Sequence, residues 1–145
     1  MSTGITIDVK DEKAEISGYY QNFAEEFDDL ASFLKDDGCD LIPYLFCPES
    51  YQSEEEIREW FEYDDDATEE SINAAIAYNK LITTETYSSI QEVYAAMTKA
   101  RNIASGYGEE RFHHGKEALL LDLDELIAEL EKKKDDEFEV QFVRA

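Results

Sequence analysis

The feature that most constrains the fold is an acidic stretch in the first half of the chain that also carries apolar residues at helical spacing. Residues 25–70 contain eighteen carboxylates and two basic side chains, a net charge of −16 (two minus eighteen) out of −23 for the chain. A disordered acidic segment has few aromatic residues, whereas this one includes Phe27, Phe33, Trp60 and Phe61. We therefore expect it to fold into amphipathic helices that turn their carboxylates outward.

Apolar spacing and capping patterns predict about five helices. The first runs from about Ser17 to Asp37, because apolar residues recur there every three or four positions. Capping boxes that begin at Ser53 and Ser89 open the second and fourth helices. Thr68 caps the third helix, and the fifth, at about 116–134, repeats leucines on one face. The residues predicted to face inward in the second and third helices are Ile57, Trp60, Phe61, Ile72, Ala75, Ile76 and Leu81.

Alternating apolar residues near both ends of the chain predict two strands, at about 5–9 and 138–143. Two lone strands gain stability by pairing with each other, with room for a third segment, and by packing against helices. The expected fold class is therefore α+β and predominantly helical, with about five helices packed on a small sheet formed by the N- and C-terminal strands. Residues 41–48, apolar but interrupted by two prolines, are predicted to be a buried connector. The length predicts a single acidic globular domain over residues 1–145.

The sequence favours a cytoplasmic location, in a bacterial or phage-infected host cell. The N-terminus lacks the basic start and apolar core of a signal peptide. No apolar run approaches the roughly 20 residues that span a bilayer. Cys39 and Cys47 are then expected to be reduced, partly buried thiols. Strong acidity also disfavours direct binding to nucleic acid or to anionic lipid, because both are polyanions.

No motif in the chain indicates an enzyme, a metal site or a cofactor. The carboxylates occur mostly in helix starts and turns, whereas a catalytic carboxyl normally lies in an apolar pocket that raises its pKa. His113 and His114 are adjacent, lack metal-site spacing, and are interpreted as an exposed loop dipeptide. The leucine repeat of the fifth helix is expected to pack in the core, with dimerisation as the alternative.

The amount of negative charge favours a binding role. Solubility requires a net charge of only about 2–8 for a small domain, and this chain exceeds that several-fold. Outward carboxylates on helices can approximate the charge density of duplex DNA, which has one charge per about 1.7 Å of axis. The residues predicted to bind a basic partner are Glu25, Glu26, Asp28, Asp29, Asp36, Asp37, Glu55, Glu59, Glu62, Asp64, Asp65 and Asp66.

This composition resembles that of phage-encoded DNA mimics and anti-defence proteins. The resemblance implies a non-catalytic inhibitor of the anti-restriction or anti-CRISPR kind, whose acidic surface occupies the phosphate groove of a restriction enzyme, a CRISPR effector or another basic DNA-binding protein. Association with such a partner would be fast and would weaken as salt rises.

Two other classes of function remain open. The chain could be an immunity protein that neutralises a cognate bacterial toxin, commonly a basic nuclease, with Tyr51, Tyr63 or Tyr87 as aromatic anchors. It could also be a small ligand-binding or enzymatic domain whose acidity is incidental. A pocket near Gly106–Gly115 is the expected place for such a site.

Overall fold

The computed structural model describes residues 3–145, and within them the fold is α+β and predominantly helical, as expected. Residues 1 and 2, which the predicted domain includes, lie outside the described part. The helices are α1 (Gln21–Asp36), α2 (Glu54–Trp60), α3 (Glu69–Ile82), α4 (Ile90–Ala104) and α5 (Lys116–Lys133). The strands are β1 (Ile5–Val9), β2 (Leu45–Phe46), β3 (Ser88–Ser89) and β4 (Glu139–Arg144).

The C-terminal strand β4 is the centre of a small mixed sheet. The N-terminal strand β1 pairs with it antiparallel, with Ile7 opposite Phe142. The short strand β2 pairs with β4 in parallel, with Leu45 also opposite Phe142, and β3 pairs with it antiparallel near Val140. The predicted pairing of the two terminal strands is therefore confirmed, and the connector supplies a third strand.

Helices α1 and α4 pack on the sheet, and α5 packs against both helices to complete the main core. Phe23 and Phe27 of α1 are fully buried, and the ring of Phe23 meets that of Phe142 edge-on at 5.9 Å. The leucine repeat of α5 lies wholly in this core, as predicted. Its buried members are Leu119, Leu123, Leu126 and Leu130.

The connector and the caps agree with most of the sequence predictions. Short 3₁₀ turns at Ile42–Tyr44 and Pro48–Ser50 flank β2, and the connector buries Leu41 and Leu45. Both cysteines are free and buried. The capping boxes at Ser53 and Thr68 are present. At Ser89 only half of the predicted box forms, since the side chain accepts a hydrogen bond from the Glu92 amide without the reciprocal bond.

The segment formed by α2 and α3 (residues 54–82) differs from the prediction. Trp60 and Leu81, predicted to face inward, are 74% and 46% exposed. Ile57 and Ile82 are the buried residues of these two helices, and α2 contributes none to the main core among the described residues. Ile57 and Trp60 are three residues apart and share one face of α2, but this seven-residue helix packs mainly against α3, which covers Ile57 and leaves Trp60 exposed.

Candidate acidic interaction surface

The twelve predicted partner-binding residues form two groups that are far apart in sequence. The α1 acidic group is Glu25, Glu26, Asp28, Asp29, Asp36 and Asp37, and the α2 acidic group is Glu55, Glu59, Glu62, Asp64, Asp65 and Asp66. Ten of the twelve are exposed, since only Asp29 is half-buried and Glu26 is buried. The two groups also differ in what their carboxylates contact.

In the α1 acidic group, most carboxylates already have partners within the chain. Arg144 at the end of β4 contacts Asp28, with Nη1 and Oδ1 3.1 Å apart. The Tyr107 hydroxyl, in the loop after α4, donates a hydrogen bond to Asp37. Burial and this carboxylate together raise the pKa of Tyr107 to about 12. These contacts connect α1 to the rest of the fold and partly neutralise its charge.

The loop before α5 that contains the two histidines (residues 112–115, here called the histidine loop) lies against the same helix. His113 Nε2 is 3.2 Å from Asp29 Oδ2, and His114 Nδ1 is 3.5 Å from Glu25 Oε2. Both imidazoles are at least half exposed. The sequence interpretation of an exposed loop dipeptide is therefore right about exposure, but it missed that the histidines contact α1 carboxylates.

Glu26 is a correction to the predicted surface, because its side chain is 1% exposed. Its Oε1 accepts a hydrogen bond of 2.6 Å from the His114 amide, while Oε2 has no hydrogen-bond partner in residues 3–145. The helical phase gives the reason: position 26 is three residues after Phe23 and four before Leu30, which places it on the apolar face. That spacing was the sequence signal for its burial.

The α2 acidic group is exposed and lacks basic partners. Within the described part of the chain, no ion pair involves its six carboxylates; Asp64 accepts a hydrogen bond from the Asp66 amide at 3.0 Å. Arg58 on α2 contacts Glu54 and Glu69 instead, at 3.2 and 3.0 Å. Residues 49–70 carry eleven acidic side chains and one basic one, a net charge of −10. The uncompensated negative charge is therefore concentrated here.

Exposed aromatic side chains accompany the α2 acidic group. Tyr63 is 90% exposed, Trp60 is 74% exposed and Tyr51 is 67% exposed. Tyr87, the third predicted anchor, is half-buried, and its hydroxyl donates a 2.7 Å hydrogen bond to Asp8. Tyr51 and Tyr63 thus remain available as anchors. Trp60 joins them, although the sequence interpretation had placed it inside.

A groove of about 520 Å³ runs between α2 and α3 beside these residues. Its walls include Ile57, Trp60 and Phe61 from the α2 side and Tyr78 from α3, and Asp64 lies at its edge. Burial, and then the nearby Asp28 carboxylate, raise the pKa of Tyr78.

Residues 3–145 present neither a cluster of metal ligands nor a membrane-spanning helix. No group of three or more His, Cys, Asp or Glu side chains in this range could hold a metal ion. No helix in the same range is long and apolar enough to cross a bilayer.

Comparison with known proteins adds no relative. No protein-family model matches the chain, and neither a curated protein nor a solved structure is significantly similar to it. The functional conclusion therefore depends on the surface described above.

Proposed function

We propose that this chain is a non-catalytic acidic inhibitor that acts in the cytoplasm on a basic nucleic-acid-binding protein or nuclease. The α2 acidic group would occupy the partner's phosphate-binding cleft as a DNA mimic. The observation that carries the proposal is the exposure of six carboxylates without basic partners in residues 3–145, beside the exposed rings of Trp60 and Tyr63. Unneutralised like charges weaken a folded domain unless a partner of opposite charge compensates them.

The spacing of the carboxylates supports a mimic of modest charge density. Glu55 and Glu59 are one helical turn apart on α2, which corresponds to a rise of about 6 Å. Phosphates along one DNA strand are separated by about 3.4 Å of axis. The helix therefore presents about half the charge density of one strand, and Glu62 and the 64–66 turn continue the acidic surface beyond its end.

The immunity-protein alternative is favoured by one observation, the exposure of Tyr51 and Tyr63. Interfaces of high affinity depend on a few buried aromatic anchors surrounded by polar contacts, and these rings could supply them. The two proposals use the same surface and differ in the partner. A single cognate nuclease would favour immunity, and inhibition of several unrelated DNA-binding proteins would favour mimicry.

The third class, a ligand-binding or enzymatic domain, has less support. His113 and His114, its candidate polar residues, are paired with Asp29 and Glu25 of α1. Two variants separate this class from the binding proposals: one with alanine at both histidines, and one with lysine in the α2 acidic group. A function lost only with the histidines would favour it.

A pull-down from host lysate with two matched variants tests the proposal. In the first variant Glu55, Glu59, Glu62 and Asp65 become lysine; in the control, Glu125, Glu131, Asp135 and Asp136, exposed in and after α5, become lysine. Each changes the net charge by +8. We expect wild type and the control to retain a basic partner that elutes as salt rises, and the first variant to lose it. Equal losses in both variants, or retention that salt does not affect, would contradict the proposal.

A further inference from the structure

We propose that the groove between α2 and α3 binds an arginine side chain of the basic partner. This inference rests on the proposed function and adds a specific contact to it. The groove combines an aromatic wall, an acidic edge and a volume of about 520 Å³, which is ample for one long side chain and part of its backbone.

The aromatic wall suits a planar cation. Trp60, the one tryptophan of the chain, presents an exposed ring, and Phe61 and Tyr78 line the same groove. Cations bind the faces of aromatic rings, most strongly that of tryptophan. Within residues 3–145, no lysine or arginine lies over Trp60, although Arg111 and Arg144 each lie over a phenylalanine ring of α1. The ring of Trp60 is therefore free to receive a cation from a partner.

The edge of the groove supplies a carboxylate for the same cation. Asp64 lines it, and the Asp66 amide uses only Oδ1, so Oδ2 is free to accept. A second cleft shares Phe61 with this groove. Four carboxylates line it, together with Arg58, which is paired with Glu54; the other three carboxylates are Glu55, Glu59 and Glu62. A segment with several basic residues could place one cation in the groove and others in that cleft.

The floor of the groove is held in place by one asparagine of α3. Asn79 Oδ1 accepts a 3.0 Å hydrogen bond from the Gln52 amide, and Asn79 Nδ2 donates one of 2.8 Å to the Ser50 carbonyl. These bonds hold the 50–52 segment on α3 and keep the groove open without a ligand. A site that exists before binding has a smaller entropic cost of association.

Arginine fits this arrangement better than lysine. The guanidinium is planar, stacks on aromatic faces and is more weakly hydrated than an ammonium group, and its fork can donate to a carboxylate at the same time. Lysine offers the same charge without the stacking plane. The groove should therefore discriminate between two peptides of equal charge, which a purely electrostatic surface would not do.

Titration with hexa-arginine and hexa-lysine tests this inference, because the fluorescence of the one tryptophan reports on the groove directly. We expect hexa-arginine to change the Trp60 emission and to bind about threefold to tenfold more tightly than hexa-lysine. In calorimetric titrations, Trp60→Ala and Asp64→Asn should each remove most of this preference. Leu121→Ala, at an exposed apolar position of α5, is the matched control and should retain it. Far-UV circular dichroism shows that each variant is folded.

The possible failures are distinguishable. Equal, salt-sensitive affinities for both peptides with unchanged emission would overturn the arginine site and leave the acidic binding surface in place. An arginine preference that persists in Trp60→Ala would also overturn it. Binding of neither peptide at low salt would contradict the proposed function as well.

Discussion

Acidic residues with the same chemistry have different roles in α1 and α2, because their neighbours differ. Glu25 and Asp29 contact the histidine loop, and Asp28 contacts Arg144, so these carboxylates help to hold distant parts of the chain on α1. In the α2 acidic group, Glu59 and Asp65 face solvent without basic partners in the described residues. Substitutions should therefore distinguish the carboxylates that stabilise the fold from those proposed to bind a partner.

The first prediction concerns Glu26 and Asp36, which the sequence placed in the same binding set. Glu26→Ala removes the acceptor of the partly buried hydrogen bond from the His114 amide, so we expect a loss of about 1–2 kcal/mol in the free energy of unfolding. Asp36→Ala, at an exposed side chain, should change it by less than about 0.5 kcal/mol. Urea titration measures both. Equal stability of the two variants would contradict the structural role of Glu26.

A second structural carboxylate lies in the sheet. Asp8 of β1 accepts hydrogen bonds from the Tyr87 hydroxyl at 2.7 Å and from Gln141 Nε2 at 3.0 Å. Gln141 is itself buried and accepts a bond from the Thr86 amide. The hydrogen bond to Asp8, followed by burial, raises the pKa of Tyr87 to about 12. The folded protein therefore favours the neutral, protonated form of the Tyr87 hydroxyl.

The second prediction is a loss of stability at alkaline pH that depends partly on Tyr87. Its folded pKa lies above the unfolded value of about 10, so its stabilisation is complete below pH 10 and is lost as pH rises towards 12. Tyr87→Phe should cost about 1–2 kcal/mol at pH 7 and should flatten the decline between pH 10 and 12. Tyr63→Phe, at a 90% exposed ring, is the control. An unchanged pH profile in Tyr87→Phe would refute this assignment.

At the level of elements, the sequence predicted those whose packing is local and periodic. The stripe of Phe23, Phe27 and Leu30 predicted α1, and alternation predicted β1 and β4 with their pairing. It could not predict the contacts of the histidine loop with α1, because those residues are 84 to 89 positions apart and belong to no motif. The orientation of Trp60 was mispredicted because helical phase identifies a face but does not show whether a neighbour covers it.

The candidate surface was also predictable only in part, because sequence shows local features and not contacts between distant residues. The sequence predicted that the carboxylates of the α2 acidic group face outward, from helical phase within α2 and from the acidic turn after it, and all six are exposed. Which carboxylates of α1 have partners within the chain depends on Arg144 and on residues 107–114, which only the tertiary structure brings to that helix.

The third prediction is that α2 and α3 open more readily than the main core. Few buried apolar side chains hold this segment, since Ile57 and Ile82 alone are buried in its helices. In hydrogen exchange, α2 amides should exchange at least about 100-fold faster than those around Leu123 and Leu126 in α5. Ser53→Ala removes the capping box and should speed exchange in α2 about fivefold further.

The matched control for this prediction is Ser32→Ala, at an exposed serine in the middle of α1. It should leave exchange in α2 unchanged. Equal protection of α2 and α5 in the wild type would show that the segment is an integral part of the core.

At the level of the whole molecule, negative charge opposes folding. Thirteen basic side chains face thirty-six acidic ones, and exposed ion pairs such as Lys10–Glu139 contribute at most about 1 kcal/mol each. Repulsion among the remaining carboxylates acts over the Debye length, which shortens from about 30 Å at 0.01 M salt to about 10 Å at 0.1 M. Salt should therefore affect folding and partner binding in opposite directions.

The last prediction follows from that opposition. Raising NaCl from about 0.01 M to 0.3 M should increase the melting temperature by several degrees, because screening relieves repulsion among carboxylates more than it weakens the few ion pairs. The variant with lysine at Glu55, Glu59, Glu62 and Asp65, whose net charge is −15 (−23 plus 8), should show a smaller increase. Partner capture should decline over the same range of salt. The protein would therefore bind its partner most tightly at low salt, the condition in which it is least stable. A melting temperature that falls with salt would show that attractive pairs dominate, and the negative charge would then need no partner to compensate it.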